Sequence, residues 1–450
     1  MINRRQFLAA SSLAAFYGSG SPAFGQSGSL PWRNWSGGLR ADPAGRIAPA
    51  SEAELAAALR STNGSLRPVG SGHSFSPLVP TDGHLVILDR LGGLRDHDND
   101  AFTATFGAGT RLSEVGRALF EIGQAPLNLP DIDRQTLAGA ISTGTHGTGL
   151  TLHSLSGDVT ALRLMTVDGS VLEITEASDA DLFKAACVSV GALGIFTEIT
   201  LKTRAPYRLK AINRAQRTED ALAEFEARAE QHRHFELFPL THSDFSLVLS
   251  IDETEEPVNN PPLSPEEEAA FGEAMRSWMA IPPAERRPLI NGLAEQIAPS
   301  ESIDAAHRIL SNVRSNRFNE MEYAVPREVG AQCLREVLDT IAREEIDVVF
   351  PLEYRYVRGD DLWLSMDEGG DRAAISVHRT AMEDYRPLFD AVEPIFWKYG
   401  GRPHWGKIHS LGYAELKALY PRFDDFCDLR RSLDPDGRLL NDHLRRLFNA

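Results

Sequence analysis

Three glycine-bearing stretches and two short charged motifs carry most of the chemical interest in this chain. The first stretch is RPVGSGHSFSP, residues 67–77, where Gly70 and Gly72 flank Ser71 and run directly into His73 and Ser74. The second is LAGAISTGTHGTG, residues 137–149, with Ser142, Thr143, Gly144, His146 and Gly147. The third is GALGIF, residues 191–196, with Gly191, Gly194 and Ile195. Clustered glycines let several backbone N–H groups point at one anion, such as a pyrophosphate. One such loop alone reads more simply as a tight turn. Three in one domain suggest a dinucleotide held along its length. None of them matches G-x-G-x-x-G between a strand and a helix, so a nicotinamide enzyme of the usual doubly wound kind is not expected.

The charged motifs come later in the chain. In LEYR, Glu353 and Arg355 are two residues apart, so on a strand they face one side while Tyr354 faces the other. That places a carboxylate and a guanidinium together, either at a site or as an ordinary ion pair on a sheet surface. In HWGKIHS, Lys407 follows Trp405 and Gly406 in a tight turn, and reads either as a site cation or as a surface lysine. His378, in ISVHRT, could face either side of its strand.

The elements around these motifs read as follows. SEAELAAALRS is a helix opened by a capping box of Ser51 and Glu54. SLRPV, HLVILDRL and AFTATFGAGT are strands, RLSEVGRALFEIG is a helix, and ALRLMTVDGSVLEIT is a hairpin turning at Asp168-Gly169. SDADLFKAACVSV is a helix leading through GALGIF into the strand FTEITLKT. A boundary is expected near Arg204 to Arg208. Beyond it, SDFSLVLSID, EYAVP, VVFPLEYRYV and AAISVHRT read as strands of a second sheet. EEPVNNPPLSPEEEAA is a polar linker with helical stretches following to about residue 315, and AELKALYPRFDDFCDLRRSLD is a closing helix.

Length and charge bound the possibilities. A chain of 450 residues can form two or three domains with a substantial core. A formal net charge of -17 gives no general attraction to nucleic acid or to anionic lipid. The three cysteines, Cys187, Cys333 and Cys427, are odd in number and lack metal-site spacing, so no metal is expected. Residues 1–25 hold Arg4-Arg5, then Phe7-Leu8, an apolar run to about Phe16, and Ala23 and Gly25 before Gln26. This pattern reads as a twin-arginine signal peptide, with a plain secretory signal as the alternative. The twin-arginine route implies export in the folded state and a periplasmic location.

RPVGSGHSFS, ISTGTHGTG and GALGIFTEITL, in that order, resemble the FAD-binding domain of the vanillyl-alcohol-oxidase-type flavoproteins. WRNWSG (32–37), EMEYAVP (320–326), LEYR (352–355), HWGK (404–407) and LDPDGRLLND are similar to the sugar-lactone branch of that family. That branch includes gulonolactone and arabinonolactone oxidases and galactonolactone dehydrogenase, with alditol oxidase as a near relative. The resemblance runs from about Trp32 to the C-terminus. It implies an α+β, two-domain fold: an FAD-binding domain over 30–205, a substrate-binding cap over 206–403 on a second, antiparallel sheet, and a segment, 404–450, closing on the flavin site.

The same resemblance implies residue roles. FAD would be held by Val69, Gly70, Ser71, Gly72, His73, Ser74, Ser142, Thr143, Gly144, His146, Gly147, Gly191, Gly194, Ile195 and Lys407. His73 stands where relatives bond covalently to the flavin 8α-carbon, and His146 is structural or near the flavin. Glu353 and Arg355 would bind and polarise substrate, and Lys407 would face the N1–C2=O edge of the flavin. His404 and His409 would support these groups. The expected reaction is hydride transfer from a hydroxyl-bearing carbon of a sugar-1,4-lactone to flavin N5. The alternatives are an alditol as substrate, or a flavin-binding protein without catalysis. The electron acceptor is oxygen or a quinone or cytochrome. Pro130 departs here from the glycine of alditol oxidase and the alanine of galactonolactone dehydrogenase, which leaves oxidase and dehydrogenase both open.

Overall fold

The computed structural model describes residues 30–261, 277–312 and 317–450, so the signal-peptide reading of residues 1–25 and part of the polar linker lie outside the described residues. Strands β1 (Trp32–Arg33) and β2 (Arg40–Ala41) form a small ribbon. A parallel three-stranded sheet joins β3 (Gly45–Ile47), β5 (His84–Ile87) and β4 (Leu66–Val69) in that order.

A second, antiparallel sheet runs β10 (Val171–Ile174), β9 (Val159–Met165), β11 (Ile195–Arg204), β7 (Thr103–Gly107) and β6 (Leu94–Asp98), and β8 (Ala125–Pro126) pairs with β11. The third sheet is also antiparallel and has eight strands. Their order is β15 (Ser300–Ala305), β12 (Arg208–Arg217), β14 (Phe245–Thr254), β13 (His234–Pro239), β17 (Glu353–Val357), β18 (Arg372–Thr380), β16 (Phe318–Pro326) and β19 (Arg402–Pro403). This is the expected α+β architecture with a second antiparallel sheet.

Local signals act as read. Ser51 Oγ accepts from the Glu54 amide at 3.1 Å, while the Glu54 carboxylate accepts from the Ala50 amide at 2.7 Å, one residue earlier than an ideal box. The β9–β10 hairpin turns on Gly169 at φ +82°, with the Asp168 carboxylate accepting from the Ser170 amide at 2.9 Å.

Three local readings are corrected. The apolar run before Glu353 is not strand: β17 begins only at Glu353, after Pro351, which has no N–H to give a ladder. The expected closing helix is two helices, Tyr413–Leu419 and Phe423–Leu433, with Tyr420 extended before Pro421. Residues 300–305, within the stretch read as helical, form the edge strand β15.

The large sheet has one face for packing and one for chemistry. Tyr354 and Tyr323 point to the helical side, against Phe225 at 4.6 Å and Phe396 at 5.0 Å between ring centroids. On the opposite face, Glu320 and Glu322 of β16 stand beside His378 and Ser376 of β18, and Ser376 pairs in register with Glu353 of β17. Arg355 pairs with Glu236 of β13. A row of charged groups is therefore set by the strand register alone. Among the described residues no helix is long and apolar enough to cross a membrane.

Arg67, in β4, ties the first domain to the C-terminus. Its buried guanidinium donates to the carbonyls of Leu78 (2.9 Å), Gly191 (3.0 Å) and Val190 (2.9 Å), and to that of Leu439. Burial of a charge is tolerated here because its donors are taken up by carbonyls from three chain segments.

Candidate active site

The loop after β4 is gripped from both sides. The Trp35 amide donates to the Gly72 carbonyl at 2.7 Å, and Asn34 Nδ2 donates to the Ser74 carbonyl at 3.0 Å. From the other side, the Phe75 amide donates to the Gly406 carbonyl at 2.7 Å and Ser76 Oγ donates to the Trp405 carbonyl at 2.5 Å. The WRNWSG and HWGK motifs thus hold one loop between them. Gly70 allows its close approach to Thr136, whose Oγ1 would lie 2.0 Å from an added Cβ, and Gly72 adopts φ +67°.

Between this loop, residues 135–145 and residues 190–196 lies a cavity with about 1130 Å³ of unfilled space. Of the expected cofactor residues, Val69, Gly70, Ser71, Gly72, His73, Ser74, Ser142, Thr143, Gly191, Gly194, Ile195 and Lys407 line it. The amides of residues 71–74 find no acceptor among the described residues, so this wall offers a run of unspent donors to an anion. The glycine-lined wall and its donor set fit a dinucleotide such as FAD.

Three expected cofactor residues sit elsewhere. Gly144 turns the chain at φ +71° and does not line this cavity. Gly147 packs on Leu129, whose carbonyl would lie 2.4 Å from an added Cβ. His146 faces a second cavity, about 720 Å³ in unfilled space. Neither Gly144 nor Gly147 nor His146 is thus positioned as a wall of the dinucleotide-sized cavity.

His73 stacks on Trp35 with ring centroids 4.6 Å apart. Burial, reinforced by the positive charge of Lys407, pushes its imidazole down to about 4, so the ring is neutral at neutral pH.

The second cavity brings together Glu353, Arg355 and Lys407. It also holds His146, Glu320, Glu322, His378 and His404, with Pro130, Phe238, Phe318 and Phe350 supplying apolar wall. The two cavities meet at Glu320, His404 and Lys407, which line both. His378, undecided from sequence, faces inward. His409 lies outside both cavities, edge-on to Trp405 at 6.4 Å.

The charges pair closely. Lys407 forms an ion pair with Glu320 and stands 4.0 Å from Glu322. Arg355 lies 3.3 Å from Glu353 and 3.5 Å from Glu322. His146 Nε2–H donates to Glu322 at 2.5 Å, and its Nδ1–H donates to the Gly147 carbonyl at 2.9 Å. Both ring nitrogens face acceptors, which is the arrangement of an imidazolium. Burial opposes that charge, but Glu322 raises His146 above its ordinary value.

Burial also opposes ionisation of the two glutamates, yet Lys407 and His378 bring Glu320 to about 2, and His146 and Arg355 hold Glu322 well below the usual carboxylate range. His404 goes the other way, with burial pushing it down to about 3. The site therefore keeps fixed, opposed charges in a low-dielectric setting, where they act strongly on a bound polar group.

Sequence reasoning passed over Glu320 and Glu322. Their signal was present: two carboxylates two residues apart inside the otherwise apolar strand EMEYAV, a costly placement unless cations wait nearby. The supporting role of Asn34 and Trp35 has no such local signature.

Known proteins resemble this chain along most of its length. A family described as D-arabinono-1,4-lactone oxidase matches residues 199–447, and one described as FAD binding domain matches residues 43–175. The L-gulono-1,4-lactone dehydrogenase of Mycobacterium tuberculosis is 35% identical over 428 residues, covering 93% of this chain and 99% of that protein. The L-gulonolactone oxidase of Mus musculus is 29% identical, covering 93% and 98%. The alditol oxidase of a Streptomyces species is 29% identical, covering 93% and 99%. Among solved structures, cholesterol oxidase from B. sterolicum superposes with a TM-score of 0.74 at 15% identity over 93% of this chain and 96% of that one, a likeness of fold.

Proposed function

The chain belongs to the D-arabinono-1,4-lactone oxidase family, and from that premise we propose that this FAD-dependent oxidoreductase oxidises a hydroxyl-bearing carbon of a sugar-1,4-lactone. The observation that carries the reading is the meeting of Glu353, Arg355 and Lys407 in one cavity that opens, at Lys407, onto the dinucleotide-sized one. The flavin, when bound, supplies the acceptor for the hydride.

The protein's own groups do the rest. Arg355 is held between Glu353 and Glu322, so its remaining donors are aimed and stay charged when a lactone oxygen or hydroxyl arrives. Glu353 accepts from substrate hydroxyls. Phe238, Phe318 and Phe350 cover the C–H faces of a small ring and keep water out. Lys407 places a cation at the junction of the cavities, where negative charge develops as the substrate is oxidised.

Three further points belong to the same proposal. His73 carries a covalent bond to FAD; its neutral imidazole, steadied on Trp35, has a lone pair available for that bond. Residues 1–25 direct export by the twin-arginine route to the periplasm, supported by Arg4-Arg5 and the small residues before Gln26. The electron acceptor is oxygen or a quinone or cytochrome, and Pro130, on the wall of the second cavity with its carbonyl accepting from Ser311 Oγ at 2.8 Å, is the residue to vary in deciding between them.

The test is anaerobic. The purified protein is titrated with aldonolactones and then with alditols while the flavin absorbance is followed. Bleaching by lactones supports the reading, bleaching by alditols alone replaces it with alditol oxidation, and admitting air afterwards reads out oxygen as acceptor.

A further inference from the structure

Arg355 and Asp131 line not only the substrate cavity but also a third, smaller one, with about 350 Å³ of unfilled space. Its apolar wall includes Leu249 and Ile251 of β14, and its polar wall includes His234 and Glu236 of β13. Two buried polar atoms of these lining residues find no partner among the described residues: His234 Nε2 and Arg355 Nε. His234 Nδ1–H donates to the Thr148 carbonyl at 2.6 Å, which puts the ring's proton on Nδ1 and leaves Nε2 a bare acceptor. Burial pushes His234 down to about 4, so the ring stays neutral. Glu236 stands opposite Arg355 across the strand pair and accepts from Thr148 Oγ1 at 2.8 Å. A bare buried donor and a bare buried acceptor beside the same partly polar cavity, which has space for a water molecule, call for ordered water.

Oxidation of an alcohol carbon removes two things. The C–H electron pair leaves with its hydrogen as hydride, for which a bound flavin would supply the acceptor. The O–H proton must leave separately, and the C=O bond forms from the electrons it releases. In the substrate cavity the carboxylates already have partners: Glu320 has Lys407, Glu322 has His146 and Arg355, Glu353 has Arg355, and Asp131 has the Asn312 side-chain amide. His146 already holds both its protons, and buried His404 is a very weak base.

We propose that ordered water in the third cavity takes the substrate's hydroxyl proton past Arg355 and passes it to the Glu236 carboxylate, with His234 Nε2 accepting from that water and orienting it. Asp131 and Asn312, both half-buried and joined by a 2.7 Å hydrogen bond, also line this cavity. The inference rests on the reading of the protein as an alcohol-oxidising flavoenzyme, but not on which alcohol.

The experiment has a structural arm and a kinetic arm. A high-resolution crystal structure of the flavin-loaded enzyme is expected to show water within hydrogen-bonding distance of His234 Nε2. Glu236→Gln, which keeps shape and removes the proton acceptor, is expected to retain its flavin and to slow anaerobic flavin reduction on the order of 10²-fold. Its solvent isotope effect is expected to exceed that of the wild type, because proton removal becomes the slow event. His234→Gln is expected to show the same pattern; if it does not fold, Glu236→Gln and the crystal structure decide. A dry cavity overturns the proposal, as does a Glu236→Gln enzyme with wild-type rate and wild-type isotope effect. The substrate in these runs is whichever alcohol bleaches the wild type, so failure of the lactone assignment shows in the wild-type titration and leaves this comparison intact.

Discussion

The Lys407 ammonium rests on the Glu320 carboxylate at the point where the two large cavities join, with Glu322 a further 4.0 Å away. The cation is thus fixed before any ligand arrives, and its position costs no reorganisation during the reaction. Replacing Lys407 with methionine is expected to leave flavin content near that of the wild type. Flavin reduction should slow by roughly 10²- to 10³-fold, the scale of losing one preorganised charge. Anaerobic stopped-flow absorbance against the wild type measures this, and equal reduction rates would remove Lys407 from the chemistry.

His73 makes a spectroscopically simple prediction. Acid precipitation of the wild type should carry the yellow colour down with the protein, while His73→Ala should release its flavin into the supernatant. Wild-type protein that releases all its flavin would refute the covalent bond.

Arg355 is engaged by two carboxylates, and the proposed function asks its planar fork to serve both and to reach substrate as well. Arg355→Lys keeps the charge, so Glu322 and Glu353 are not stranded, but it loses the fork. The expected result is a fall in kcat/KM of about 10²-fold, equivalent to about 3 kcal/mol, with Tm little changed. A variant with unaltered kcat/KM would show that the guanidinium geometry is idle.

His409 tests the acid sensitivity of the fold. Burial pushes it down to about 4 from an ordinary 6.5. A group with a depressed folded value contributes stability that is present above the unfolded value and is lost as pH falls from about 6.5 toward about 4, because the unfolded chain binds the proton first. His409→Phe, a ring without a titrating nitrogen, should flatten the fall of Tm across that window. An unchanged Tm-against-pH curve would assign the acid sensitivity to other groups.

The grip on the His73 loop can be probed through Asn34. Its side chain accepts from the Gly37 and Leu39 amides at 3.0 Å each and donates to the Ser74 carbonyl. Asn34→Ala strands those groups at a cost of about 1–3 kcal/mol. It should lower the covalently bound fraction of flavin more than it lowers the yield of folded protein, read by acid precipitation beside circular dichroism.

Much of this protein was legible in its residues because the relevant physics is local. Ser51 caps its helix, Asp168-Gly169 makes its hairpin, and the spacing of Glu353 and Arg355 puts both on one face wherever that strand lies. The glycine loops announced a ligand-lined wall through backbone needs that only neighbouring residues set. What only the tertiary structure decided is which charges meet. Glu322 is 176 residues from His146, and Lys407 is 87 residues from Glu320, so their pairing depends on strand register and on the closure of the C-terminal segment over the sheet. His146 lines the second cavity and not the glycine-lined one, with the turn at Gly144 and the packing of Gly147 on Leu129 on either side of it. Spacing along a strand fixes direction, but electrostatics in a buried site depends on distance, and distance between far-apart residues exists only once the chain has folded.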